Sequence, residues 1–240
     1  MKIFLAGATG VIGRKLVSLL RAAGHNVAGT TRSAAKADVI AGLGAEPVVI
    51  DVFDAAGLTQ AVCNAAPDIV IHQLTDLPFA PGSPQFEEGL ARNARLRDEG
   101  TRNLVSATRA AGVRRLIAQS IAFVYAPGNT TRIESDPLNT SAPGLAGRTV
   151  AAVMALEKAV LAVPEGIILR YGFFYGPDTW FPAKPALQPA VHVDAAAQVA
   201  LQAVSKGRPG IYNIAEDEPS LSSDKAKRLL GFDPDFRVTP

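Results

Sequence analysis

Short apolar runs of strand length alternate along this chain with longer stretches in which apolar residues recur every three to four positions. Ile3–Ala6 is the first run. Val11–Ala23 is the first amphipathic stretch, with Ile12, Leu16, Leu19, Leu20 and Ala23 on one face and Arg14, Ser18 and Arg21 on the other. Gly24 follows, as a helix C-terminus favours. Further strands are predicted at Asn26–Thr30, Pro47–Ile50, Asp68–His72, Arg115–Gln119, Gly166–Arg170 and Ile211–Ile214. Further helices are predicted at Phe86–Ala111, Thr149–Leu161, Val193–Val204 and Ser223–Leu230. Alternation of this kind requires right-handed crossovers and gives a parallel sheet covered on both faces, an α/β doubly wound fold. The Pro/Gly-rich breaks Leu77–Pro84, Ala126–Gly147 and Gly176–Pro189 all follow strand ends, where open α/β sheets bind ligands.

Composition removes several classes of function. Lys and Arg number 24 against 22 Asp and Glu, a net charge of +2 with no dense basic block, so nucleic acid and membrane surfaces are not expected partners. No apolar stretch approaches the ~18 residues of a membrane span. The run at the N-terminus reads as a strand, not a leader. Cys63 is the only cysteine, which excludes an internal disulfide and fits a reducing cytoplasm. Set among alanines, it is expected to be small and buried. His25, His72 and His192 have no metal-ligand spacing, so no metal site is expected. The chain has no GxSxG elbow, which argues against a hydrolase.

Gly7-Ala8-Thr9-Gly10-Val11-Ile12-Gly13 joins the first strand to the first helix. In such a turn the first glycine permits the bend, the second lets backbone approach a pyrophosphate, and the third lets helix and strand pack closely. The helix N-terminus then offers free N–H groups to the anion. The turn therefore predicts a Rossmann-type dinucleotide site. The second strand ends Thr30-Thr31-Arg32-Ser33, with no carboxylate before Asp38 to hold the ribose hydroxyls. Arg32 can fork onto a 2′-phosphate instead. NADP is the expected cofactor, with NAD as the alternative.

The GATGVIG spacing resembles the extended short-chain dehydrogenase/reductases, the group that contains the NAD(P)-dependent epimerases and dehydratases. The likeness continues in Asp51 after strand three and in Asp68-Ile69-Val70-Ile71-His72. It is carried further by Glu99-Gly100-Thr101-Arg102-Asn103-Leu104, by Leu169-Arg170-Tyr171-Gly172-Phe173-Phe174-Tyr175-Gly176-Pro177, and by His192-Val193-Asp194. The resemblance implies that Asp51 contacts adenine, and that Val52, Leu74, Thr75, Ser120, Arg170, Tyr171, Gly172 and Phe173 also contact cofactor.

The resemblance fails at the chemistry. The family's oxidoreductases use Tyr-x-x-x-Lys on one helix, where lysine and cofactor lower the tyrosine pKa from about 10. No tyrosine of this chain has a lysine four positions on. Alignment through Gly147-Arg148 puts Ala146 and Val150 at the two positions, and alignment through Glu157 puts Thr149 and Val153 there. Ser120 and Tyr125 are the remaining catalytic candidates, with Tyr171 and Tyr175 as other sources of a proton. The expected substrate lobe is small, formed by about 176–191 and 215–240 within a single domain of 1–240, with Trp180 and Phe181 either lining a pocket or fastening the loop. The expected function is an NAD(P)-binding, atypical oxidoreductase or epimerase acting on a small carbonyl or hydroxyl compound. The alternative is a non-catalytic redox sensor or scaffold. A homodimer would pair through the Asn93–Gly112 helix.

Overall fold

The structure, a computed structural model, describes residues 1–77 and 82–238. Part of the expected Leu77–Pro84 loop and the last two residues of the expected C-terminal lobe lie outside the described residues. Seven parallel strands form the main sheet: β1 (Lys2–Ala6), β2 (Asn26–Thr31), β3 (Glu46–Val49), β4 (Ile69–His72), β5 (Arg115–Ile121), β6 (Glu165–Tyr171) and, after two short strands, β9 (Gly210–Ile214). Those two, β7 (Phe173–Tyr175) and β8 (Ala190–His192), pair with each other in parallel. The main order is β3-β2-β1-β4-β5-β6-β9. Strand order reverses between β1 and β4, and this reversal opens a crevice at their carboxyl ends.

Strand side chains alternate between two cores. Ile3, Leu5, Ile69, Ile71, Ile117 and Leu169 face one core, and Phe4, Val70, Leu116, Ala118 and Ile168 face the other. The first core is closed by α1 (Val11–Ala22), α7 (Val193–Gln202) and α8 (Asp224–Leu230). In α1 the buried residues are Ile12, Gly13, Leu16, Val17 and Leu20; Leu19 is half-buried, and Ala23 is exposed beyond the helix. The second core is closed by α3 (Ala55–Ala65), by the helix that begins as α4 (Phe86–Arg95) and ends as α5 (Thr101–Ala110), and by α6 (Gly144–Leu161). A short α2 (Ala37–Gly42) precedes β3.

Two expectations need correction. Cys63 is exposed. Only Leu58 and Val62 of α3 are buried, and one step of about 100° beyond Val62 carries Cys63 off that face. The Phe86–Ala111 helix is also not uniform: a π-helical turn at Leu96–Gly100 separates α4 from α5. The wider turn resets the helix face and buries Leu96 and Arg97 side by side.

Candidate active site

β1 delivers Gly7 to the middle of the carboxyl edge. Its φ is +93°, and a Cβ there would lie 2.7 Å from the Gln73 carbonyl oxygen. A Cβ on Gly13 would lie 2.0 Å from the Gly7 carbonyl, so α1 sits directly on the turn. Thr30 clamps the turn from β2: its Oγ1 accepts the Gly7 N–H at 3.1 Å and its carbonyl accepts the Ala8 N–H at 3.2 Å. Gly10 is extended and exposed at the start of α1. No side chain caps this helix and its first turn holds no acid. Its leading N–H groups are thus available to an anion, so these residues fit a dinucleotide pyrophosphate. Ile12 is buried and Val11 half-buried against the core, while the Thr9 carbonyl accepts from Arg14 Nη1 at 3.2 Å. The other end of Arg14 pairs with Asp178 at 3.0 Å and ties the loop after β7 to the turn.

On the β2 side, Arg32 is 62% exposed and its guanidinium lies 3.3 Å from Asp76 Oδ1. Asp76 is buried, also lies 3.5 Å from Arg92 Nε, and donates its backbone N–H to Asn93 Oδ1 at 3.0 Å. Sequence reading found Arg32 but not Asp76, because nothing local to either signals a pair 44 residues apart. Asp51 is exposed and accepts the Phe53 N–H at 2.9 Å. Val52 is buried, its carbonyl receiving Asn103 Nδ2 at 3.0 Å. Leu74 is half-buried and accepts from Gln119 Nε2 at 2.8 Å, whereas Thr75 is exposed. His72 lies beneath them, fully buried. Its Nδ1 accepts the Leu74 N–H at 3.2 Å, leaving the ring proton on Nε2 to reach Thr101 Oγ1 at 2.9 Å. Burial, and secondarily the Arg97 charge, push its pKa down to about 4.

Around β5 and β6 the side chains are closed on one another. Ser120 is buried and donates to Glu157 Oε1 at 2.8 Å. Glu157, from α6, takes a forked pair of bonds from Arg170, at 2.8 Å from Nε and 2.7 Å from Nη2. Arg170 Nη1 donates to the Tyr125 hydroxyl at 2.7 Å, and that hydroxyl donates to Asn213 Oδ1 at 2.6 Å. Burial acts to lower the Arg170 pKa, but the bonds and charge of Glu157 outweigh it and hold the group above its ordinary value. Burial raises the Tyr125 pKa.

The side chains of Arg170 and Tyr171, expected at the cofactor, are both bonded within the chain. Arg170 is spent on Glu157. Tyr171 lies in the core with its hydroxyl on the Ala196 carbonyl at 3.2 Å, and burial pushes its pKa up. Gly172 donates its N–H to Ile214, and Phe173 alone of this group carries a half-buried side chain to the edge. Tyr175 is likewise committed, to Glu216 and Arg237, and burial followed by the Glu216 bond raises it to about 12. Lys184 pairs with Glu216 at 2.8 Å, joining the two segments of the expected lobe. Trp180 meets Phe86 edge-on at 6.0 Å and fastens its loop to α4.

The positions where a Tyr-x-x-x-Lys pair was sought are apolar or unpartnered. Val150 and Val153 are buried with Val124 in one cluster, Thr149 is half-buried, and Ala146 is exposed. Beside this cluster Phe123 stacks on Phe173, with ring centroids 4.0 Å apart and planes 8° from parallel. Sequence reading missed this pair, which joins residues 50 apart, Phe123 just past β5 and Phe173 at the start of β7. A larger cavity of about 680 Å³ lies at the opposite edge, among Lys2, Asn26, Glu46 and Pro67, where the strands begin. It is remote from the glycine turn.

A glycine turn, an uncapped helix and a strand reversal at one edge define a dinucleotide-binding α/β protein. The chain belongs to the NAD(P)H-binding family, whose profile matches residues 7–157. It is 40% identical over 243 residues to the 3-diazoavenalumate denitrifying reductase of a Streptomyces species, covering 92% of this chain and 77% of that one. The fold is shared with a short-chain dehydrogenase/reductase superfamily protein from Agrobacterium tumefaciens with bound NAD, at TM-score 0.77 and 20% identity over 99% of this chain and 93% of that chain. It is shared also with the UDP-glucose 4-epimerase of Thermotoga maritima, at TM-score 0.76 and 19% identity over 99% and 94% of the two chains.

Proposed function

We propose that this chain is an NADPH-dependent reductase whose acceptor needs no proton from a protein side chain. One observation carries the reading: among the described residues no candidate acid at the carboxyl edge is poised to act, although the cofactor turn is intact. Ser120 is bound to Glu157, Tyr125 to Arg170 and Asn213, and Val150 and Val153 are packed in hydrocarbon. The reduced nicotinamide supplies hydride when bound. The chain's own residues hold the pyrophosphate at Gly7–Gly13, meet a 2′-phosphate with Arg32, and shield the reacting edge from water with Phe123 and Phe173. Hydride transfer to a carbonyl leaves an alkoxide that must be protonated, a task for a general acid. An arenediazonium cation plus hydride gives, in net, the arene and dinitrogen, with atoms and charge balanced and no proton required. The reductase relative is named for a diazo compound and for denitrification, which favours a small diazo acceptor over a carbonyl.

The test combines cofactor titration with turnover. Calorimetry should show NADPH binding more tightly than NADH, and Arg32→Asp should weaken NADPH about tenfold or more while sparing NADH. Equal losses for both cofactors would remove the NADP preference. With a hydroxyarenediazonium salt, NADPH oxidation should saturate above the uncatalysed background and release one equivalent of dinitrogen. A hydroxyaryl aldehyde should react far more slowly. Tight NADPH binding with no turnover of the diazonium salt would sink the reductase reading and leave the non-catalytic one.

A further inference from the structure

We infer that the cavity beyond β5 binds the acid group of a planar aromatic carboxylate, with Arg132 as its anion contact and Phe123 as its stacking face. The inference rests on the reductase reading for the role of the site, since it names the acceptor held beside the cofactor edge. The cavity, about 240 Å³, is bounded by Phe123, Tyr125, Arg132, Pro189 and Ser220. Its volume is below the ~300 Å³ at which drug-sized ligands begin, which suits one aromatic ring or its tail. Phe173 covers one face of Phe123, and of the two rings only Phe123 lines the cavity. A flat ring pair of this kind favours a flat, conjugated guest.

Arg132 is the one charged residue among the described residues that line the cavity. Its backbone is anchored twice, the N–H to the Ser220 carbonyl at 2.8 Å and the carbonyl to the Ser222 N–H at 2.9 Å. Thr131 adds a bond from Oγ1 to the Pro219 carbonyl at 2.8 Å. The side chain is half-buried, yet among the described residues its guanidinium has neither an ion pair nor a hydrogen-bond acceptor. Arg92, Arg115 and Arg170 each lie within ion-pair distance of a carboxylate; Arg97, buried in the π-helical turn, also lacks a partner among the described residues but does not line the cavity. The nearby acid, Glu134, instead accepts the Asn213 N–H at 2.9 Å. Gly128 leaves the space that the guanidinium fills, because a Cβ there would lie 1.8 Å from Arg132 Nη2. Its forked donors, unspent within the described chain, match a carboxylate. With one cation in a small cavity, a monocarboxylate is favoured over a nucleoside diphosphate, which carries more charge and more volume.

The test uses the full chain, with and without NADP⁺, and three probes: 4-hydroxycinnamate, its methyl ester and UDP. By calorimetry the acid should bind at least about tenfold more tightly than the ester. Arg132→Met should erase that difference, and Gly128→Ala should reduce it by displacing the guanidinium. Phe123→Leu should weaken acid and ester alike. Thermal melts of every variant, with unchanged NADPH affinity in Arg132→Met and Gly128→Ala, separate a lost subsite from a lost fold. Equal binding of acid and ester to the unmutated chain, discrimination surviving in Arg132→Met, or tighter binding of UDP than of the acid would each overturn the inference. Discrimination that survives without any NADPH turnover supports the subsite and overturns only the reductase reading.

Discussion

The two halves of the sheet's carboxyl edge are built on opposite rules. Around β1 and β2 the backbone is left open: Gly10 is exposed, α1 has no cap, and Arg32 extends a mostly solvated guanidinium. Around β5 and β6 the polar groups are closed on each other, from Ser120 through Glu157 and Arg170 to Tyr125 and Asn213. Apart from Arg32, the first half works through backbone geometry, which side-chain replacement scarcely touches. The second depends on which side chains stand there, so hydrocarbon such as Val150 and Val153 can occupy it without disturbing the first. On the proposed function, cofactor binding and proton transfer are separable in this fold, and an acceptor that demands no proton is compatible with losing the second.

That contrast is most severely tested at the closed half. Glu157→Gln should destabilise the protein by about 3–5 kcal/mol, because it leaves the Arg170 charge buried without its carboxylate. The measurement is the denaturant midpoint at unchanged m-value. A loss below about 1 kcal/mol would mean that the pair is not sealed as described.

His72, between the halves, should give the next largest effect. Its folded pKa of about 4 lies below an unfolded value of about 6.5, so within that window the unfolded chain binds more protons than the folded one. Stability is therefore fully present above the unfolded pKa and lost as pH falls toward the folded one, by roughly 3 kcal/mol in all. Unfolding measured across this window should show the slope, and His72→Gln should flatten it. A slope that survives the substitution would assign the effect to other groups.

The smallest effect sharpens the comparison most. Tyr125→Phe should cost about 1–2 kcal/mol of stability, since Arg170 and Asn213 each lose a partner, and turnover per folded molecule should be unchanged across neutral pH. A large fall in kcat with stability intact would return Tyr125 to the chemistry.

Much of the fold was legible in the chain because its signals are local. Apolar runs of strand length marked β1, β4 and β6, and a 3.6-residue period marked α1. Glycines three apart marked the turn, since a positive φ at Gly7 and contact at Gly13 depend on immediate neighbours. Strands of only three residues, β7 and β8, carried too little pattern to be seen, and the π-helical turn changed which residues of a polar stretch face inward. The fate of the polar candidates was decided only in three dimensions. Ser120 and Arg170 meet on Glu157, and Arg32 meets Asp76, because crossovers bring separate strand ends to one edge. Hydrophobic periodicity and backbone preference belong to short segments. Ion pairs, cavities and shifted pKa values belong to what the folded chain sets beside them, and there the tertiary structure alone chose which groups are spent on one another and which, like Arg132, are not.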